Sequence, residues 1–279
     1  MLRIRLIVGT ILFILICLTF WLDARWHTSF GLIFLVGVAA TLSLHELYCM
    51  AEQHGLKPFK WLGLAAGIAL VATTHWWGWR IGIFMDSWRL EVFLAGLVCA
   101  CFLAQSLRRT LAGTATNIGI TLLGFLYVPF LLCFFVGIDH LRNGGAMAVL
   151  FVIFTAKAGD IGGYSVGRIF GGPKLAPVVS PNKTVAGAVG GLALSVLVGL
   201  LTNGLLPVGL SPLSALAGSV LVGVSAQLGD LGESMIKRDL EVKDAGRKLP
   251  GFGGMLDLMD CLIMAGPVGY VFFQLLGAR

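Results

Sequence analysis

Charge is scarce in this chain. Acidic and basic side chains make up 12% of its 279 residues, 14 Asp and Glu against 20 Lys and Arg, where a soluble domain carries about 25%. So few cannot cover the surface of a water-soluble protein of this size, and a soluble globular enzyme is excluded. Cysteine is also sparse, and no CxxC occurs. Cys17, Cys49, Cys99, Cys101, Cys133 and Cys261 all lie inside apolar runs, which excludes a disulfide scaffold and reads as reduced packing residues. The five histidines (His27, His45, His54, His75 and His140) show no metal-ligand spacing, so a zinc site is not expected. Ten-residue stretches of alternating polarity are missing, which excludes a membrane β-barrel.

What the chain has in abundance is hydrocarbon. Hydrophobic residues reach 57% and the mean hydropathy is +0.91, the composition of a polytopic membrane protein. At about 20 residues per span, nine apolar runs emerge, at 5–22, 29–50, 61–78, 89–107, 114–137, 146–167, 184–206, 212–236 and 256–277. The expected fold is therefore all-α, with about nine transmembrane helices. Turn-forming Gly and Pro punctuate the runs at Gly55 to Pro58, Asn143-Gly144-Gly145, Gly171-Gly172-Pro173, Ser211-Pro212 and Pro250-Gly251. The first run ends in Asp23-Ala24-Arg25-Trp26, not a small-residue cleavage site, and reads as a retained helix.

The basic residues fix an orientation. With nine spans, 14 Lys and Arg fall on the side of the N-terminus and five on the other, with Lys157 inside a span. The positive-inside rule then places the N-terminus inside and the C-terminus outside. The net charge of +6 reflects these loops, and no nucleic-acid partner is expected. Residues 1–145 read as N-terminal spans of almost pure hydrocarbon, with an interfacial belt at Trp76-Trp77-Gly78-Trp79-Arg80. Residues 146–279 read as C-terminal spans that carry the chemistry, because there acids enter the runs.

Charges inside a bilayer are costly and mark function by default. Four clusters stand out on the expected cytoplasmic side. In Lys157-Ala-Gly-Asp160-Ile-Gly-Gly-Tyr164-Ser-Val-Gly-Arg168, helical spacing puts Asp160, Tyr164 and Arg168 on one face; an ion pair that locks packing would also explain it. In Ser180-Pro-Asn-Lys183-Thr184, a polar loop feeds a span, as a phosphate cradle does at a helix N-terminus or as an ordinary cap does. Gln227-Leu-Gly-Asp230-Leu-Gly-Glu233-Ser234-Met-Ile-Lys237-Arg238 sets acid deeper than base, which suits a metal below phosphates or a snorkelling Lys-Arg pair. Asp257 and Asp260 are paired carboxylates at the entrance to the last span, a divalent-cation pattern; capping by Asp257 alone would leave Asp260 unexplained. Together the clusters point to hard-cation chemistry on phosphates beside a membrane surface.

The stretch from Ser234 through Lys237-Arg238, Lys243-Asp244-Ala-Gly246, Pro250-Gly251-Phe-Gly253-Gly254 and Asp257-Leu-Met-Asp260 resembles the C-terminal signature of bacterial CDP-diacylglycerol synthase (phosphatidate cytidylyltransferase). The Asp160–Arg168 and Ser180–Thr184 segments resemble the same family's upstream motifs, in the same order. Before about residue 155 the likeness is mainly one of topology, with Glu46 where the family often carries an acid.

The resemblance implies a reaction, CTP plus phosphatidic acid giving CDP-diacylglycerol and pyrophosphate, in a bilayer of the inner membrane with the active site facing the cytoplasm. It implies Mg²⁺ held by Asp230 and Asp257 with Asp260 adjacent, a second cation such as K⁺, and homodimerisation. Asp230, Asp257, Asp260 and Lys237 would be catalytic. Asp160, Lys183, Thr184, Ser234, Arg238, Lys243 and Asp244 would bind substrate. No general base is needed, because the attacking lipid phosphate is already an anion. The chain departs from the pattern at three places: Phe252 stands for His, Leu258 for Arg, and Val185-Ala186-Gly187 for Trp-Glu-Gly. The alternatives are a related CTP-using membrane enzyme, such as a polyprenol kinase or ether-lipid cytidylyltransferase, and a transporter with intramembrane carboxylates.

Overall fold

A chain rich in hydrocarbon can satisfy its backbone N–H and C=O groups within a bilayer only in helices or closed barrels, and the computed structural model of this chain is built almost wholly of helices. It describes residues 2–26, 28–74, 88–108, 110–141, 145–246 and 253–277. The Trp76–Arg80 belt, Phe252 and the Pro250-Gly251 turn lie outside the described residues. The described residues of the nine expected spans fall almost wholly on helix, and 75–78 of the third lie outside them. Seven helical stretches among the described residues are long and apolar enough to cross a membrane; Lys60–Thr74 and the 14–23 part of the first helix are apolar but shorter.

The chain forms two compact units, and both are discontinuous. One comprises residues 1–137 and 240–256, the other 138–239 and 257–279. The described residues of 240–256 group with the N-terminal helices.

The first unit holds α1 (Leu2–Trp26), α2 (Phe30–Gln53), α3 (Lys60–Thr74), α4 (Trp88–Leu107) and α5 (Thr114–Phe125). Asp23 ends the first apolar run for a structural reason. Its carboxylate accepts hydrogen bonds from the amides of Gly31 and Leu32 at 3.0 and 2.9 Å, satisfying the open N–H groups at the start of α2. The α2–α3 connector is fastened from α5, where Asn117 accepts from the Lys57 amide at 2.9 Å and Thr121 from the Phe59 amide at 2.8 Å. The buried Tyr48 hydroxyl donates to the Thr121 carbonyl at 2.7 Å. The expected span 114–137 is not one uniform helix. It passes through a π-helical turn, Leu126–Phe130, before α6 (Phe134–Asp139). Pro129 lies in that turn, and its missing N–H removes a rung from the α-helical ladder.

The second unit holds α7 (Gly145–Phe170), a hairpin of β1 (Lys174–Ala176) and β2 (Ser180–Thr184), α8 (Val185–Leu205), α9 (Pro212–Asp239) and most of α10 (Met255–Gly277). The hairpin is antiparallel, with Lys174 opposite Thr184 and Ala176 opposite Ser180. It is the one element the sequence did not announce. Helices α7 and α8 meet backbone to backbone: a Cβ on Gly162 would lie 2.9 Å from the Gly190 carbonyl oxygen, and one on Gly191 would lie 2.8 Å from that of Gly159. Small residues allow such approach where helices pack without a hydrophobic driving force. A polar bond adds to it, Ser195 donating to the Thr155 carbonyl at 3.0 Å, and the Gln227 amide ties α9 to α8 through the Ala188 carbonyl at 2.9 Å.

Candidate active site

Three helices and the hairpin of the second unit bring the charged residues together. On α7, Lys157 lies one turn before Asp160, and their charged groups are 3.4 Å apart. The Lys157 ammonium also donates to the Leu258 carbonyl of α10 at 2.6 Å. At the end of β2, Lys183 reaches Asp230 of α9 at 2.7 Å. Two turns further along α9, Lys237 bridges two acids, Glu233 on its own helix and Asp257 on α10, the latter at 2.7 Å. Asp260 is buried, and one of its oxygens accepts from the Cys261 amide at 2.6 Å.

The carboxylates form two overlapping groups that share Asp260. Asp230, Glu233 and Asp260 each offer an oxygen within 4.8 Å of the others, and Asp160, Asp260 and Cys261 make a second group within the same distance. The all-oxygen group suits a hard divalent cation such as Mg²⁺. The second group includes a thiol, a poor partner for such a cation, and Lys157 already lies beside it. Within this cluster, five carboxylates (Asp160, Asp230, Glu233, Asp257 and Asp260) meet three ammonium groups, those of Lys157, Lys183 and Lys237. With every group ionised, two negative charges are left over, the charge of one divalent cation.

The approach of α9 to α10 depends on Gly229. A Cβ there would run into the carbonyl oxygen of Asp260. With glycine, the α9 backbone comes close enough for Asp230 and Glu233 to share a site with Asp260. Thr184 is buried and caps α8, its hydroxyl accepting from the Gly187 amide at 3.0 Å. Its hydroxyl is thus engaged in the helix start. Arg238 is exposed and donates to the Val179 carbonyl in the hairpin turn at 3.3 Å. Ser234 is half-buried on α9. On the shared face of α7, Arg168 donates to the Tyr164 hydroxyl at 2.9 Å, and both are exposed. Lys243 and Asp244 belong to the first unit, where both are exposed.

Two features of the site differ from the sequence reading. Asp257 and Asp260, three residues apart on α10, have different neighbours, Asp257 meeting Lys237 and Asp260 the acids of α9. The third carboxylate beside Asp230 and Asp260 is Glu233, which is 1% exposed. Its spacing carried the signal, three residues after Asp230 and four before Lys237, so that it shares a helix face with both.

The sequence was compared with known proteins. The profile of the cytidylyltransferase family matches residues 3–276. A phosphatidate cytidylyltransferase of Chlamydia pneumoniae is 30% identical over 259 residues, 88% of this chain and 83% of the relative. That of Brucella suis is 45% identical over 131 residues, 46% of this chain. An uncharacterised protein of Escherichia coli, YnbB, is 42% identical over 132 residues, 47% of this chain. In these last two the match covers about half of the relative, 47% and 44%.

Proposed function

Because the chain belongs to the cytidylyltransferase family, we propose that it is a phosphatidate cytidylyltransferase, converting CTP and phosphatidic acid to CDP-diacylglycerol and pyrophosphate. The observation that carries this reading is the meeting of Asp230, Glu233 and Asp260 within 4.8 Å, with Lys183 and Lys237 bonded to the same acids. Such a site fits phosphoryl chemistry, in which catalysis is mostly positioning and charge neutralisation.

In the proposed reaction a lipid phosphate oxygen attacks the α-phosphorus of CTP. A new P–O bond forms, the bond from the α-phosphorus to the α,β-bridging oxygen breaks, and pyrophosphate leaves with the electron pair. No proton has to move first, because the nucleophile is already an anion. Asp230, Glu233 and Asp260 would hold Mg²⁺, which when bound neutralises phosphoryl oxygens and the charge that develops on the leaving group. Lys183 and Lys237 are set to move from their carboxylates to the phosphates as the substrate enters. Asp257 orients Lys237. Thr184 orders the start of α8, so that Lys183 is presented from a fixed hairpin end. Lys157 supplies the positive charge beside Asp160 and Asp260, so this reading assigns one divalent cation and no K⁺. Ser234, Arg238, Lys243 and Asp244 remain proposed contacts of the nucleotide.

The excess of basic residues in one set of loops, 14 against five, supports a site that faces the cytoplasm of the inner membrane. CTP arrives there from solution while the lipid arrives through the bilayer. The test is turnover by the purified full chain with labelled CTP, phosphatidic acid and Mg²⁺. The expected products are CDP-diacylglycerol and pyrophosphate in equal amounts. Release of CDP with a phosphorylated lipid would overturn the reading in favour of a kinase. Solute flux in liposomes without nucleotide turnover would overturn it in favour of a transporter.

A further inference from the structure

Glu46 is an acid in the middle of an apolar helix, far in sequence from the residues described above. It lies on α2, is 3% exposed, and its Oε2 accepts the amide hydrogen of Leu256, 210 residues later, at 2.9 Å. Two glycines back onto the same carboxylate. A Cβ on Gly246 would lie 3.0 Å from Glu46 Oε1, and one on Gly254 would strike Oε2. Gly246 and Gly254 are also neighbours of each other: a Cβ on Gly254 would lie 3.0 Å from the Gly246 amide nitrogen. All of these residues belong to the first unit. One carboxylate therefore pins both ends of the chain segment between Gly246 and Gly254, and it also holds the amide that precedes Asp257.

A stabilising role alone does not account for this acid. Oε1 is buried with no hydrogen-bond partner among the described residues. A buried carboxyl oxygen left without a hydrogen bond is a cost to the fold, and an acid within a membrane helix is a further cost. What the acid does is fix a place in the chain. The next residue after Leu256 is Asp257, which holds Lys237. Asp260 follows one turn later in the same helix.

We propose that Glu46 is a positioning residue of the transferase reaction: it holds Gly246, Gly254 and the Leu256 amide in place, and so sets the register in which Asp257 and Asp260 are presented. The proposal rests on the functional reading above. It adds to that reading a control point on α2, outside the charged cluster. The geometry also explains why positions 246 and 254 are glycine, since any side chain there would push the clamp open.

The test compares Glu46→Ala and Glu46→Gln with the unaltered full chain, by turnover kinetics and by amide hydrogen exchange. Glu46→Ala should lower kcat at least about tenfold while KM for phosphatidic acid stays within about twofold. Exchange should quicken in peptides covering 253–260 and stay unchanged in those from α3 and α5. Glu46→Gln keeps a carbonyl oxygen for the Leu256 amide and should restore most of kcat and of the local protection. Three results would overturn the proposal: an alanine variant with unaltered kcat, a glutamine variant no better than alanine, or exchange that quickens equally through α3 and α5. Failure of the functional reading looks different. The unaltered chain would then show no turnover, and local exchange at 253–260 alone would decide whether Glu46 is the clamp.

Discussion

The ammonium of Lys157 donates a 2.6 Å hydrogen bond to the carbonyl of Leu258, linking α7 to the first turn of α10 across 101 residues of sequence. Leu258 is a position where the resembling family carries arginine. The same ammonium lies 3.4 Å from the Asp160 carboxylate, so a positive charge stands beside the Leu258 backbone although its side chain carries none.

This relationship makes Lys157 the first residue to test. Lys157→Ala removes the charge and leaves a space about the length of the lysine side chain. Turnover should fall at least about tenfold, a loss of about 1.4 kcal/mol in transition-state stabilisation. Added methylammonium should recover part of it by entering the vacated space. Turnover assays with and without the amine check this, and full activity without amine would remove Lys157 from the site.

Glu233 is expected to share the divalent cation with Asp230 and Asp260. Glu233→Gln keeps shape and removes one negative charge from the group. The Mg²⁺ concentration for half-maximal turnover should rise about tenfold or more, the scale of changing one ligand-shell partner. A Mg²⁺ titration of pyrophosphate release reads it directly.

Lys183 lies 2.7 Å from Asp230, and on the proposed reading it would compete with Mg²⁺ for that carboxylate. Lys183→Gln should therefore act in two directions at once. KM for CTP should rise, because a phosphate contact is lost, while the Mg²⁺ requirement falls, because Asp230 is released. Parallel CTP and Mg²⁺ titrations would expose a variant in which both constants move the same way, contrary to this account.

Gly229→Ala places a methyl group against the Asp260 carbonyl. Overpacking of this kind costs about 1–3 kcal/mol, and here it also separates α9 from α10 at the carboxylate group. A lower Tm in detergent and a lower kcat are both expected. Gly204→Ala is the control, since nothing lies within 4 Å of a Cβ there; it should leave both unchanged or raise Tm slightly through helix propensity.

The nine apolar runs were legible because a membrane helix needs only length and hydrocarbon, and both are written locally. The acids at 160, 230, 257 and 260 stood out for the complementary reason, since charge in such runs is rare. The pairing of these charges was not legible. Whether Lys237 meets Asp257, or Lys183 meets Asp230, depends on how each helix is rotated and on close approaches such as that at Gly229, which one-dimensional spacing does not contain. Glu233 was visible in its cluster, yet nothing local distinguished it from a solvated neighbour of Lys237. The hairpin at 174–184 escaped notice because its strands are short, carry Pro181 and have no alternation of polar and apolar residues. The grouping of 240–256 with the N-terminal helices is a long-range fact, of the same kind as the bond from Leu256 to Glu46.

The internal ion pairs also bear on how the protein is made. Lys157 with Asp160, and Lys237 with Glu233, are neighbours on a single helix turn. Each can form as soon as its helix does, before any partner helix is present. A newly synthesised α7 or α9 thus enters the lipid with those charges already matched, which lowers the penalty for inserting acids into the bilayer. The cross-links from Lys183 to Asp230 and from Lys237 to Asp257 must wait until the later segments arrive. Insertion of these two helices thus needs no cation to balance their paired charges.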